Sequence, residues 1–296
     1  MRWHELIPYF FIFPALIIIF SVIIYPLLYS FSISLQEYNL LRPEKISFIG
    51  LNNYVKLFRD NLFVYSILIT IYFVIVSVFI QLLLGLGIAL LLNEPLRGRS
   101  LVKALLILPW ALPGTIIGGM WLWIYHPDYG LINNLLRSIN LLKDIEVISW
   151  LGSPLLAIHA IIITDVWRLS PFAAVLLLAG LATIPKEIIE SSKLDGASSW
   201  QRFLYITLPL LKPIIILFLL IRTMFAFQIF DIVYVLTRGG PGTSTFVLMY
   251  YAWDKGFNQL NMGYAAAASY VTAIFIIIFA TIYMLILRVP LRKGGK

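Results

Sequence analysis

The chain has 296 residues, 61% of them hydrophobic and 12% charged, and its mean hydropathy is +0.93. A soluble globular protein carries about 25% charged residues, so a water-soluble enzyme, a disordered tail and a secreted disulfide scaffold are excluded. Cysteine is absent, which removes thiol nucleophiles, zinc–thiolate sites and disulfides. His4, His126 and His159 are too few and too scattered for a histidine-rich metal site. The net charge is +8. In a chain this apolar the Lys and Arg excess reports membrane topology, not nucleic-acid binding.

A spanning helix needs about 20 apolar residues. Four stretches carry no charge: Leu6 to Gln36, Asn61 to Asn93, Ala104 to Pro127, and Gly256 to Leu287. Two more, Pro154–Leu181 and Leu208–Thr237, are apolar but interrupted by charge. The expectation is an all-α polytopic membrane protein with six transmembrane helices. The first segment is too long for a signal core of 7–15 residues and shows no small-residue cleavage site, so it reads as a retained span. No loop is long enough for a separate external domain. Pro109, Pro113, Gly114, Gly118 and Gly119 predict a broken or kinked third span, which is tolerated where it lines a cavity or is buried in protein. Trp110 beside them also fits an interfacial anchor.

Positive charge orients the spans. One set of segments holds Arg2, then Arg97, Arg99 and Lys103, then Lys186, Lys193, Arg202 and Lys212, and finally Arg288, Arg292, Lys293 and Lys296. The opposite set holds Arg42, Lys45, Lys56, Arg59, Arg137, Lys143, Arg238 and Lys255, fewer cations on longer loops. Both termini are therefore expected in the cytoplasm.

The fourth loop, about 183–207, is too polar to span and too organised for a tether. Pro185 suits a helix start. Glu187 and Glu190 lie in the first turns, where the helix dipole favours acids. Gly196 suits the left-handed residue that closes a helix. Ser198 and Gln201 form a capping-box pattern for a second helix, and Pro209 and Pro213 mark entry into the fifth span. The reading is helix, tight turn, helix along the cytoplasmic face. Local chemistry alone also fits a membrane-surface helix pair with no partner.

Asp165, Arg168, Arg222 and Asp231 fall within predicted spans. A central charge costs roughly 2.5–3.5 kcal/mol on insertion scales, so all four must face protein or a water-filled cavity. At a rise of about 1.5 Å per residue, Asp165, Arg168 and Arg222 lie roughly 17, 21 and 23 Å below the outer ends of their helices. That depth is near the midplane, where transporters bind substrate. Asp231, taken along one continuous helix, lies roughly 9 Å from the outer end and half a turn out of phase with Arg222. Residues 165, 168, 169 and 172 share a helical face. Two roles stand open: a salt bridge of Asp165 with Arg168 or Arg222 that locks helices, or a polar site for sugar hydroxyls.

The run Glu190, Ser191, Ser192, then Asp195, Gly196 and Ala197, followed by Ile206, Leu208 and Pro209, resembles the EAA loop of binding-protein-dependent ABC importer permeases. Asp195 to Phe203 and Ile206 to Leu211 are similar to its carbohydrate branch. Tyr9 to Leu35, with Pro14, Tyr25 and Pro26, is similar to that branch's first span. Leu236 to Thr245 is similar to the loop after the fifth span in the first permease subunit of the maltose, trehalose and glycerol-3-phosphate type. Ser191 and Ser192 depart from the usual two alanines but keep the small size.

This resemblance implies a type I importer permease fold in one transmembrane domain, 1–296. It implies a coupling loop on a cytoplasmic ATPase, with Glu190 as the acidic contact, Gly196 as the turn and Asp195 as a local cap. Implied partners are a second homologous permease, two ATPase subunits, a periplasmic or extracellular sugar-binding protein, the prokaryotic cell membrane and a sugar. No nucleic acid is implied. The maltose-type permease places sugar contacts at Trp110, Gly114, Asp165, Arg168, Leu169, Phe172, Arg222 and Ala226 of this chain. The chain has no phosphate loop of the form G-x-x-x-x-G-K-[ST], so ATP and Mg belong to separate ATPase chains and this subunit binds no cofactor and catalyses nothing. The cargo implied is a disaccharide or oligosaccharide such as maltose or trehalose. The alternative is an ion-coupled secondary sugar transporter with Asp165 and Asp231 as proton or sodium sites.

Overall fold

The computed structural model describes residues 3–95, 97–143 and 146–287. The predicted cations Arg2, Arg288, Arg292, Lys293 and Lys296 lie outside the described residues. The chain divides into two compact units, one from the N-terminal part through Val64 together with Tyr251–Ala273, the other from Tyr65–Tyr250 together with the chain from Ile274 onward.

The first unit opens with α1 (Trp3–Ile18), a π-helical turn (Ile19–Ile24) and α2 (Tyr25–Ser34). Phe11–Ser34 forms one apolar run of spanning length. A short hairpin follows, β1 (Gln36–Glu37) antiparallel to β2 (Ser47–Phe48), and then α3 (Asn52–Arg59). Asn53 ties these pieces: its buried amide donates to the carbonyls of Ser34 at 2.9 Å and Gln36 at 2.8 Å. Asp60, just past α3, accepts from the Tyr251 hydroxyl at 2.7 Å and pairs with Lys255 at 3.7 Å. Burial works against the Asp60 carboxylate, but the Tyr251 hydroxyl, the Leu62 amide and Lys255 outweigh it and hold its pKa below the usual value.

Next come α4 (Asn61–Asn93), α5 (Arg99–Ala111), α6 (Gly114–Ile124), α7 (Leu131–Ser138) and α8 (Pro154–Ala182). After them run α9 (Lys186–Leu194), α10 (Ser199–Arg202), α11 (Leu208–Phe227), α12 (Asp231–Leu236), α13 (Leu248–Trp253) and α14 (Met262–Leu287). Among the described residues five helical runs are long and apolar enough to cross a membrane, and the α5–α6 pair makes the sixth. The six expected spans are thus accounted for, with two corrections to their shape.

The third span is two helices bent by 96°. A residue before proline is pushed out of the helical region, and Leu112, before Pro113, is extended at φ −80°, ψ 140°. The fifth span is not one helix over 208–237. It stops at Phe227, turns through Gln228–Phe230 and restarts at Asp231, so depth and phase counted along a continuous helix misplace Asp231. At the other end, α10 passes through a five-residue π-helical turn (Phe203–Thr207) directly into α11. Pro209 sits in the first turn of α11 and Pro213 inside it, so the two prolines do not separate the loop helix from the span.

The second unit is organised around α8, the most buried of the spanning helices. Lipid tails are as apolar as leucine, so close backbone approach at small residues drives helix packing. A Cβ built on Gly85 of α4 would meet the Ala173 Cβ of α8 at 2.4 Å. Gly180 of α8 takes Leu211 and Ile214 of α11 at the same kind of distance, and Gly118 of α6 takes Val235 of α12. Ala89, Leu92, Leu177, Leu178, Leu181 and Leu211 close one end of this packing. Gly85→Val should therefore overpack the α4–α8 contact and destabilise the fold by about 1–3 kcal/mol, read as a lower midpoint in thermal unfolding of the detergent-solubilised protein. Gly87→Ala, where a new Cβ meets nothing within 4 Å, should leave the midpoint in place.

Candidate functional site

One face of α8 presents Asp165, Arg168, Leu169 and Phe172 to a cavity of about 440 Å³. Trp110 of α5 lines it, as do Arg222 and Phe225 of α11, the turn Gln228–Phe230, and Asp231 at the start of α12. The volume falls in the range of about 300–1,000 Å³ typical of small-ligand pockets. The break after Phe227 supplies part of this wall, since Gln228, Ile229 and Phe230 replace regular helix with chain that lines the space.

The four intramembrane charges form two pairs of different character. Asp165 and Arg222 are sealed, with side chains 4% and 3% exposed, and form a direct ion pair. Gln81 of α4 completes it: the Arg222 Nε donates to Gln81 Oε1 at 2.5 Å, and Gln81 Nε2 donates to Asp165 Oδ2 at 3.0 Å and to its carbonyl at 3.1 Å. Three helices are joined by groups that satisfy one another. Arg168 and Asp231 form the outer pair at 3.2 Å, with side chains 21% and 36% exposed. Asp231 Oδ1 also accepts the Ile232 amide at 3.0 Å.

Of the sugar contacts expected from resemblance, Trp110, Asp165, Arg168, Leu169, Phe172 and Arg222 come together on one cavity wall. Gly114 and Ala226 do not line it. Ala226 is fully buried. Gly114 stands behind the outer pair, where a Cβ would overlap Asp231 Oδ2 at 1.4 Å and approach Arg168 Nη1 at 2.6 Å. Its role is to make room for the pair. The rings of Trp110 and Phe172 lie 5.4 Å apart, and Trp110 is 46% exposed, so an apolar sugar face has an aromatic surface to rest on. Gln81 is the residue sequence reasoning missed. It had a signal: a lone amide deep in the charge-free stretch Asn61–Asn93 needs a partner. Asp231 was read as an intramembrane charge facing protein or a cavity, but its pairing with Arg168 had no signal while its helix was taken as unbroken.

The fourth loop folds as its capping chemistry predicts. The C-cap of α9 is Asp195, and Gly196 follows in the left-handed region at φ +78°. Ser198 and Gln201 make the full capping box at α10. Arg202 braces the elbow, donating to the Ala197 carbonyl at 2.5 Å and to Ser199 Oγ at 3.0 Å. Ser191 and Ser192 turn their hydroxyls onto the Ile188 and Ile189 carbonyls of their own helix, so two serines serve where alanines are usual. Glu190 is exposed, as are Leu194 (89%), Trp200 (67%) and Tyr205 (76%).

Residues 5–290 match the family model described as "Binding-protein-dependent transport system inner membrane component". The chain belongs to this family. It is an ABC-importer permease, a transport component and not an enzyme. It is 41% identical, over 93% of its length and 92% of the relative's, to the trehalose/maltose transport system permease protein MalF of Thermococcus litoralis. It is 37% identical to the sulfoquinovosyl glycerol transport system permease protein SmoG of Agrobacterium fabrum, over 93% of this chain and 88% of that one. It is 34% identical to the trehalose transport system permease protein SugA of Mycobacterium tuberculosis, over 86% and 80%. Among solved structures, a chain of a bacterial ABC transporter that imports the acidic polysaccharide alginate superposes with a TM-score of 0.83 at 23% identity, covering 97% of this chain and 98% of that one. That likeness establishes the fold of the permease.

The sealed pair makes a sharp prediction. Arg222→Met leaves Asp165 buried without a counter-ion and should destabilise the permease by about 3–5 kcal/mol. The double variant Asp165→Leu with Arg222→Met removes both charges and should recover most of that loss. Thermal unfolding of the three purified proteins in detergent checks both.

Proposed function

We propose that this permease carries a disaccharide or short oligosaccharide such as maltose or trehalose into the cytoplasm by ATP-driven alternating access. The observation that carries the reading is the joining of a cavity, walled by charged side chains and an aromatic pair, to an exposed helical elbow in one chain. Sugars are held by planar charged or amide groups together with an aromatic ring, and Arg168, Asp231, Trp110 and Phe172 supply these. The trehalose and maltose relatives support the choice of cargo.

In this account the whole chain, 1–296, acts as one permease domain with both termini in the cytoplasm. It pairs with a second, homologous permease. Two ATPase subunits dock below and hold ATP and Mg, while a sugar-binding protein delivers cargo from outside. The elbow formed by α9, Gly196 and α10 seats on an ATPase, with Glu190 as its acidic contact and Leu194, Trp200 and Tyr205 as apolar ones. Because α10 runs without a stop into α11, which carries Arg222, movement of the elbow reaches the cavity wall through continuous helix.

The test is uptake of labelled trehalose and maltose into proteoliposomes holding the assembled importer. Uptake should require ATP hydrolysis and persist with an ionophore. Uptake that survives without hydrolysis and collapses with the ionophore would instead establish the ion-coupled alternative. Glu190→Ala should still insert into the membrane yet cut sugar-dependent ATP hydrolysis or ATPase binding at least about tenfold, the loss expected for one charge-assisted contact.

A further inference from the structure

The cavity wall contains two cations and two carboxylates, and they are not equivalent. Asp165 and Arg222 are closed on each other and on Gln81. The charge that an arriving ligand meets on this wall is therefore set by Arg168 and Asp231. Alone, Arg168 would make a good anion site, because a guanidinium forks onto phosphate, sulfonate or carboxylate oxygens. The remaining lining, Trp110, Leu169, Phe172, Phe225, Gln228, Ile229 and Phe230, carries no charge.

We infer that Asp231 is a specificity-determining residue that makes this cavity select neutral over anionic sugars by neutralising Arg168. The inference rests on the sugar-import reading and deepens it. The carboxylate is held in place from three sides. Oδ2 faces Arg168 Nη1 at 3.2 Å, Oδ1 takes the Ile232 amide at 3.0 Å, and Gly114 approaches so closely that the position has no space for a Cβ. An anionic sugar reaching Arg168 must sit beside this fixed negative charge, and like charges at such short range repel. A neutral sugar hydroxyl has no such conflict. It accepts from Arg168 and donates to Asp231, which is still 36% exposed. Gly114, silent as a contact, belongs to the same device because any side chain there would displace the carboxylate.

The experiment uses the detergent-purified complex of both permeases and the ATPases, without the binding protein, so that selectivity at delivery does not enter. Equilibrium dialysis measures binding of trehalose and trehalose 6-phosphate. The wild-type complex should prefer trehalose. Asp231→Asn keeps the shape and frees Arg168, and it should raise the ratio of phosphate to neutral binding by roughly ten- to a hundredfold, the gain of one charged hydrogen-bond site. The double variant Asp231→Asn with Arg168→Gln removes the cation too and should return the ratio to the wild-type range. Arg168→Gln alone should lower the ratio, and it supplies the answer if Asp231→Asn fails to assemble. An unchanged ratio in an assembled Asp231→Asn or Arg168→Gln complex overturns the inference, as does a wild-type complex that binds both sugars equally. A wild-type complex that binds neither trehalose nor maltose contradicts the sugar-import reading itself.

Discussion

A charge inside an apolar span has to be answered by another group, and this requirement organises the centre of the permease. Each unanswered charge at the middle of a bilayer costs roughly 2.5–3.5 kcal/mol on insertion scales. Four such charges lie on α8, α11 and α12, and each has an opposite partner. The sealed pair draws three helices together through Gln81. The outer pair stays partly open to the cavity. One pair is closed within the wall and the other is open to the cavity, and the difference lies in depth of burial, not in residue type.

The two interruptions in regular helix make that division possible. Pro113 forces Leu112 out of the helical region, which turns α6 away from α5 by 96° and sets Gly114 at the head of the new helix. The turn after Phe227 releases α12 from α11 and lets Asp231 begin it. With unbroken helices Asp231 would point half a turn from Arg222 and near the outer end of the span, away from Arg168. Small residues do the rest, since Gly85, Gly118 and Gly180 bring neighbouring backbones close where the hydrophobic effect gives no drive to associate.

Much of this was legible in the amino-acid sequence, and the reasons differ by element. Four spans followed from charge-free length and two from apolar stretches interrupted by charge. The helical elbow followed from local chemistry: a glycine at the helix end, a Ser-x-x-Gln box at the next start, and acids in the first turns, all of which reproduce in the fold. The face of α8 was readable because 3.6-residue periodicity survives in a regular helix. Asp231 was misplaced because the break at Gln228–Phe230 contains neither proline nor glycine to signal it in the sequence. Pro209 and Pro213 mark the entry into α11, as read, but the entry is not a stop, since a π-helical turn over Phe203–Thr207 carries α10 directly into α11. Gly114 and Ala226 were carried over as contacts from the family resemblance; neither lines the cavity, Ala226 being buried and Gly114 packed against Asp231 and Arg168.

The account stands on the joining of elbow and cavity in one moving part. Its most direct test is a structure of the assembled importer, trapped with sugar between the two permeases. The account predicts sugar density stacked on Trp110 and Phe172 with a hydroxyl between Arg168 and Asp231, and Glu190 buried against an ATPase. Sugar held away from that wall, or an elbow surrounded by solvent or lipid headgroups, would contradict it.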